Sequence, residues 1–193
     1  MRRLILSTLL LAANPALAWK ISEADKPFTH KSSGYSVQFP PHWKYDKLWF
    51  SDESGATRDG PGLQSIFVDF RAHKTAFRAI KKSSSESALS QDLAADLIAD
   101  MTKERDLENV QILSDEPTTL AGRPAFRLQI EYKSPVVRGA VRYREIIVGT
   151  VNAKGLYLIG YRAPVLHYFA RDTAAFEASL VSFSIADKPA KGR

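Results

Sequence analysis

Phe126-Arg127-Leu128-Gln129-Ile130-Glu131-Tyr132-Lys133 places an apolar side chain at every second position and a polar one between. A period of two belongs to a β-strand with one face turned to a core. The polar set predicts a sheet with one wet face, as antiparallel sheets often have. Val141 and Tyr143 alternate with Arg142 and Arg144 and predict the hairpin partner. A pairing centred between Val136 and Val137 sets Glu131 opposite Arg142, a favourable cross-strand pair. Alternation breaks at Glu145, where Ile146, Ile147 and Val148 run consecutively. A bulge or burial on both faces would produce that break.

Outward from this hairpin the pattern stays mostly β. Asn152 to Gly155 reads as a turn and Leu156 to Tyr161 as the next strand. Upstream, Val110, Ile112 and Leu113 lead to a turn at Pro117, then to Thr118–Leu120 and a turn at Gly122. Tyr35, Val37 and Phe39 alternate with Ser36 and Gln38, and Pro40-Pro41 stops that strand because proline cannot donate to a ladder. Trp43 to Phe50 predicts another strand, Ser51 to Gly62 a surface loop, and Ile66, Val68 and Phe70 a third early strand. Ala72 to Ser87 is read as a mobile loop. Leu89, Leu93, Leu97 and Met101 recur every four residues, which predicts a helix capped by Ser87 or Ser90. A second helix covers about Thr173 to Val181, with Phe183 and Ile185 closing the fold. The expected class is α+β: a mainly antiparallel sheet flanked by helices.

The first residues read as an address. Arg2 and Arg3 form a basic start, Leu4 to Ala13 a short apolar run, and Ala16-Leu17-Ala18 a small-residue cleavage site. Residues 1–18 are therefore expected to be a secretory signal cut between Ala18 and Trp19, leaving a periplasmic or secreted protein. One domain over 19–185 and a polar flexible tail over 186–193 complete the expected organisation. The chain has no cysteine, which rules out both disulfides and a lipid anchor attached through a cysteine. No further apolar run is long enough to span a membrane. Net charge is +6, and losing Arg2 and Arg3 leaves about +4, too mild to point to nucleic acid.

Three short motifs carry a family resemblance. Gly34-Tyr35-Ser36-Val37-Gln38-Phe39-Pro40-Pro41-His42-Trp43 resembles the strand, proline and tryptophan signature of PsbP-like proteins. Leu120-Ala121-Gly122-Arg123-Pro124-Ala125 is similar to the glycine turn before their long central strand. Phe176 through Ser182-Phe183 resembles their terminal helix and Ser-Phe strand. The superfamily includes the extrinsic PsbP protein of photosystem II, Mog-type Ran-binding proteins and bacterial DcrB-like envelope proteins. The resemblance implies an α/β/α sandwich and a role in binding or assembly, with no shared catalytic residues. The absent cysteine departs from the DcrB-like lipoproteins.

The sequence is poor in chemistry. His30, His42, His73 and His167 form no metal-binding pair, and no nucleophile elbow surrounds any serine. Neither a metal nor a cofactor is expected. Asp92, Asp96, Asp100 and Glu104 share one helix flank, expected to meet water or to pair with Arg127, Arg142 and Arg144. Residues 71–82 carry five lysines and arginines and no acid. The leading expectation is an exported, non-catalytic envelope module that docks a protein partner. Its expected contacts are Trp49, Phe50, Lys74, Phe77, Arg78, Lys81 and Lys82, with Phe77 exposed. Arg127, Arg142 and Arg144 form an alternative anion-binding set. The competing function is a periplasmic small-ligand carrier or enzyme with a pocket between helix and sheet.

Overall fold

The computed structural model describes residues 20–50, 53–134 and 141–186, with side chains described outside 46–50 and 53. The expected signal, the tail after Ala186 and the centre of the hairpin loop lie outside those residues. The strands are β1 (Lys20–Ile21), β2 (Phe28–His30), β3 (Tyr35–Val37), β4 (Lys44–Phe50), β5 (Glu53–Thr57) and β6 (Ser65–Ala72). Helix α1 (Ser90–Glu104) follows, then β7 (Glu108–Leu120), β8 (Arg123–Lys133), β9 (Arg142–Asn152) and β10 (Gly155–Pro164). Helix α2 (Ala170–Ser182) and β11 (Ser184–Ile185) complete the described chain.

One sheet runs in the order β1-β4-β5-β6-β10-β9-β8-β7, and a smaller one in the order β11-β3-β2. Every pairing is antiparallel. The even positions of β8 (Phe126, Leu128, Ile130, Tyr132) pack with Leu93, Leu97 and Met101 of α1. On the opposite side, Tyr157, Ile159 and Tyr161 pack with Phe176 of α2 and with Tyr35 and Val37 of the small sheet. The protein is thus an α+β sandwich, with α1 on one face of the large sheet and α2 plus the small sheet on the other.

This layering explains what alternation alone left open. Ile146 and Val148 point to the α2 side and Ile147 to the α1 side. The registers of β9 with β8 and β10 run without interruption, so two-sided burial, not a bulge, breaks the alternation. The hairpin pairs Glu131 with Arg144, two residues from the expected Arg142. A slip of two keeps every side chain on its face, and Arg142 still reaches Glu131 diagonally. The polar side of β8 is not simply wet: Glu131 is buried, and Arg127 is held by Glu177 of α2.

Other elements depart further. β7 is one thirteen-residue strand through Pro117, with register shifts on either side of Gln111 and Ile112. As the edge strand it needs no donor from Pro117 on its open side. The expected loop at 51–62 contains β5, whose Ser54, Ala56 and Thr57 are buried. Ser54 accepts a hydrogen bond from Tyr35 at 2.9 Å, a partner supplied from the small sheet. Helix α1 takes Leu89 as its N-cap with no side-chain cap, so neither Ser87 nor Ser90 caps it. Gly160 faces Phe67 across the β10–β6 pair, and a Cβ there would come within 2.3 Å of the ring. The glycine makes room for the aromatic ring that lies over it.

Candidate functional site: a cationic turn braced by a buried carboxylate

The segment expected to be mobile is folded against α1. Phe77 and Lys82 pair as a bridge, with Lys82 N donating to Phe77 O at 3.0 Å and Phe77 N to Lys82 O at 3.2 Å. Between them Lys81 takes a left-handed conformation (φ 58°), and its N–H donates to Arg78 O at 3.2 Å. The closed turn presents Arg78 and Lys81 to solvent, and Lys74 is exposed in the short helical segment that leads into it.

Phe77 corrects the sequence expectation. It is fully buried in the α1-side core, so it anchors the turn and offers a partner no surface. A large aromatic ring among cationic neighbours is driven inward by the apolar area it removes from water. Ile80 packs against the same core, half-buried.

Asp100, fully buried on α1, supports the turn from beneath. Its Oδ1 accepts the N–H of Ala79 at 2.7 Å and of Ile80 at 3.3 Å, while Oδ2 accepts Arg71 Nη1 at 2.8 Å. Arg71 also donates to Asp69 at 2.6 Å and to Ala76 O at 3.0 Å, and lies 3.8 Å from Glu104. Burial works against the Arg71 charge, but Asp69, Glu104 and Asp100 together push its pKa above the ordinary value. His73 ties the start of the segment to the sheet, with Nε2 2.9 Å from Asn152 O and Nδ1 2.8 Å from Ser84 Oγ.

The acidic flank of α1 therefore serves Arg71 and Lys82, not the β8–β9 arginines. Asp96 holds Lys82 at 2.7 Å, so this lysine is committed within the fold while Lys74 and Lys81 extend outward. Asp69 and Arg71 share a strand face because they are two apart, a spacing legible in sequence. Their partner on α1 was not.

The alternative arginines meet carboxylates instead of an open site. Arg127 pairs with Glu177 at 2.5 Å, while Arg142 and Arg144 converge on Glu131 at 2.5 and 2.8 Å. Arg144 also lies 5.2 Å over the Phe169 ring. Hydrogen bonding from Arg144 outweighs the opposing effect of burial and, with Arg142, holds the Glu131 carboxyl below its ordinary 4.5. A carboxylate whose native pKa is depressed contributes stability that is full above the unfolded value and lost as pH falls through the lower native one. Urea unfolding between pH 3 and 6 is expected to show a shallower acid loss in Glu131→Gln than in the parent. Equal slopes would mean the pairs contribute nothing. Trp49 and Phe50 belong to β4, but their side chains lie outside the described ones.

Three features escaped sequence reading because their partners lie far apart in the chain. Asp172, in the first turn of α2, is held by Arg171 at 2.5 Å and by Arg58 and Gln64 at 3.3 Å each. Glu145 is bonded by Arg105 and Tyr132. A shallow depression of about 430 Å³ crosses the small sheet. Among the described residues no three His, Asp or Glu side chains converge as metal ligands, and no helix is long and apolar enough to cross a membrane.

No family model matches the chain, and no curated protein does either. Solved structures do. A Mog1 variant superposes with TM-score 0.56 at 13% identity, over 84% of this chain and 96% of its own. LpqN of Mycobacterium tuberculosis, described as involved in cell envelope biogenesis, gives 0.54 at 12%, over 83% and 90%. Cyanobacterial PsbP (CyanoP) from Synechocystis sp. PCC 6803 gives 0.52 at 11%, over 91% and 99%. The chain also spans about half (52%) of a Bacteroides thetaiotaomicron protein that it matches. These likenesses establish architecture: the chain has the PsbP/Mog-type fold.

Proposed function

We propose that this protein is an exported, non-catalytic envelope module that docks an acidic surface of a partner protein through Lys74, Arg78 and Lys81. The observation that carries the reading is the braced turn. A buried carboxylate, a near-buried arginine and a buried phenylalanine hold the backbone that carries Arg78 and Lys81, with Lys74 exposed just before it. A backbone already fixed need not be ordered on binding, and the exposed cations favour recognition by charge complementarity. The basic start, apolar run and Ala-Leu-Ala site of residues 1–18 support export, with residues 19–185 acting as one domain. LpqN, a structural neighbour described as an envelope-biogenesis protein, fits the same setting.

The test is gentle crosslinking of the mature protein in its native envelope, read by mass spectrometry. One protein is expected to crosslink reproducibly through Lys74 or Lys81, and the Lys74→Glu/Arg78→Glu/Lys81→Glu variant, still able to react through the exposed Lys82 and Lys103, should fail to capture it. The same sample reads the mature N-terminus, expected at Trp19. A partner that crosslinks equally to the charge-reversed variant, or a clean monomer, overturns the assignment of this turn.

A further inference from the structure

We infer that the outer face of the small sheet is a second binding site, independent of the cationic turn, for the phosphate ester of a small polyol or sugar. Thr29 pairs with Ser36 and Ser36 with Ser184, so three hydroxyl side chains stand in register across β2, β3 and β11. All three line the depression of about 430 Å³. Adjacent strands lie about 4.8 Å apart, so the row extends roughly 10 Å, the length of a sugar phosphate. Ser36 Oγ and Ser184 Oγ are 2.8 Å apart, which leaves the pair able to donate outward and accept outward as a polyol requires.

The side of the row toward the Gly34 turn is cationic. Lys31 lines the depression, and Lys154 Nζ lies beside Gly34, 3.0 Å from where a Cβ would stand. Gly34 takes φ +76°, a conformation that favours glycine and keeps its outer side free of a side chain. Among the described residues the lining contains no acid, and its charged member is a lysine, which suits an anion. Lysine ammoniums bind phosphate as point charges, and the methyl group of Ala186 borders the groove on its outer side.

The floor is preorganised. Gly34 N donates to His30 O at 2.8 Å and Ala186 N to Gly34 O at 2.7 Å, fixing the turn to the end of β11. Beneath it Tyr157 donates to Ser33 O at 2.8 Å. A site whose donors are already in place loses less on binding than one that must order them.

The experiment is an NMR titration of the ¹⁵N-labelled mature protein with glycerol 3-phosphate, inorganic phosphate and glycerol, following the amides of Thr29, Ser36 and Ser184. Saturable shifts are expected with the ester, weaker ones with inorganic phosphate, and none with glycerol. The Lys31→Gln/Lys154→Gln variant should bind the ester about tenfold or more weakly, as expected when charge-assisted bonds are lost. Lys74→Gln/Arg78→Gln, far from the groove in sequence and on the α1 side, should bind it unchanged, which separates this site from the docking turn. Vesicles of phosphatidylglycerol against phosphatidylcholine identify the source: shifts at the three hydroxyl residues with anionic vesicles alone assign a lipid headgroup, and shifts with free ester assign a soluble ligand. If neither moves these residues, or the double lysine variant binds as the parent does, the site is refuted.

Discussion

Replacing Asp100 with alanine is expected to destabilise the protein by about 3–5 kcal/mol and to release the cationic turn from α1. The carboxylate is fully buried and accepts three hydrogen bonds. Its loss does not strand Arg71 entirely, since Asp69 and Ala76 O remain as acceptors. The larger cost falls on the N–H groups of Ala79 and Ile80, left without an acceptor close to the core. Asp100→Asn keeps an acceptor for those two N–H groups but turns an amide donor toward Arg71, so an intermediate loss is expected. Urea unfolding measures the stability, and hydrogen exchange at Ala79 and Ile80 locates the effect. Unchanged protection of these two amides in the alanine variant would show that Asp100 does not brace the turn. The prediction links stability to function, because the variant should also lose the crosslinks at Lys74 and Lys81.

Glu145→Ala is expected to cost about 3 kcal/mol, with most of the damage at the α1 end of the β8–β9 pair. Glu145 is fully buried, and Arg105 Nη1 lies 3.2 Å from each of its carboxylate oxygens. Tyr132 donates its hydroxyl to Oε2 at 2.9 Å, and Arg162 is the cross-strand neighbour. Removing the carboxylate leaves the buried phenol of Tyr132 without its acceptor and takes one carboxylate partner from Arg105. Arg105 is 21% exposed and can reach water, which keeps the cost toward the lower end for a buried pair. Glu145→Gln keeps the shape and an acceptor for Tyr132 while losing the charge. It should fall between alanine and the parent in urea unfolding. If glutamine is as damaging as alanine, charge and not hydrogen bonding dominates at this position.

Local pattern was enough for the central elements. The alternation of 126–133 and 141–144 predicted β8 and β9, and the four-residue recurrence from Leu89 to Met101 predicted α1. Patterns failed where burial came from elements distant in sequence. Ser-Gly-Ala-Thr at 54–57 reads as loop, yet it forms β5 because the edges of β4 and β6 accept it and Tyr35 supplies a hydrogen bond. Residues 72–87 read as mobile because their anchors lie outside the segment: Asp100 on α1 and the apolar floor under Phe77. The cationic turn was half legible. Lys74, Arg78 and Lys81 could be chosen from a run of cations without acids, but charge pattern could not show that Phe77 is core and Lys82 is paired.

By itself the sequence determined the class of this protein, its antiparallel centre and, through its lack of cysteine, the absence of disulfides among its residues. Those follow from period, turn residues and composition, which act over a few residues at a time. Only the tertiary structure decided the remaining pairings of cation with carboxylate. To the Arg142 that the hairpin pattern had set near Glu131 it added Arg144, and it gave Asp100 Arg71 together with two backbone N–H groups. The same packing aligned Thr29, Ser36 and Ser184 from two distant parts of the chain into one row. Such pairings depend on strand register and on the placement of a helix across a sheet. Both are set by the mutual burial of apolar faces, a property of the whole fold and not of any stretch within it.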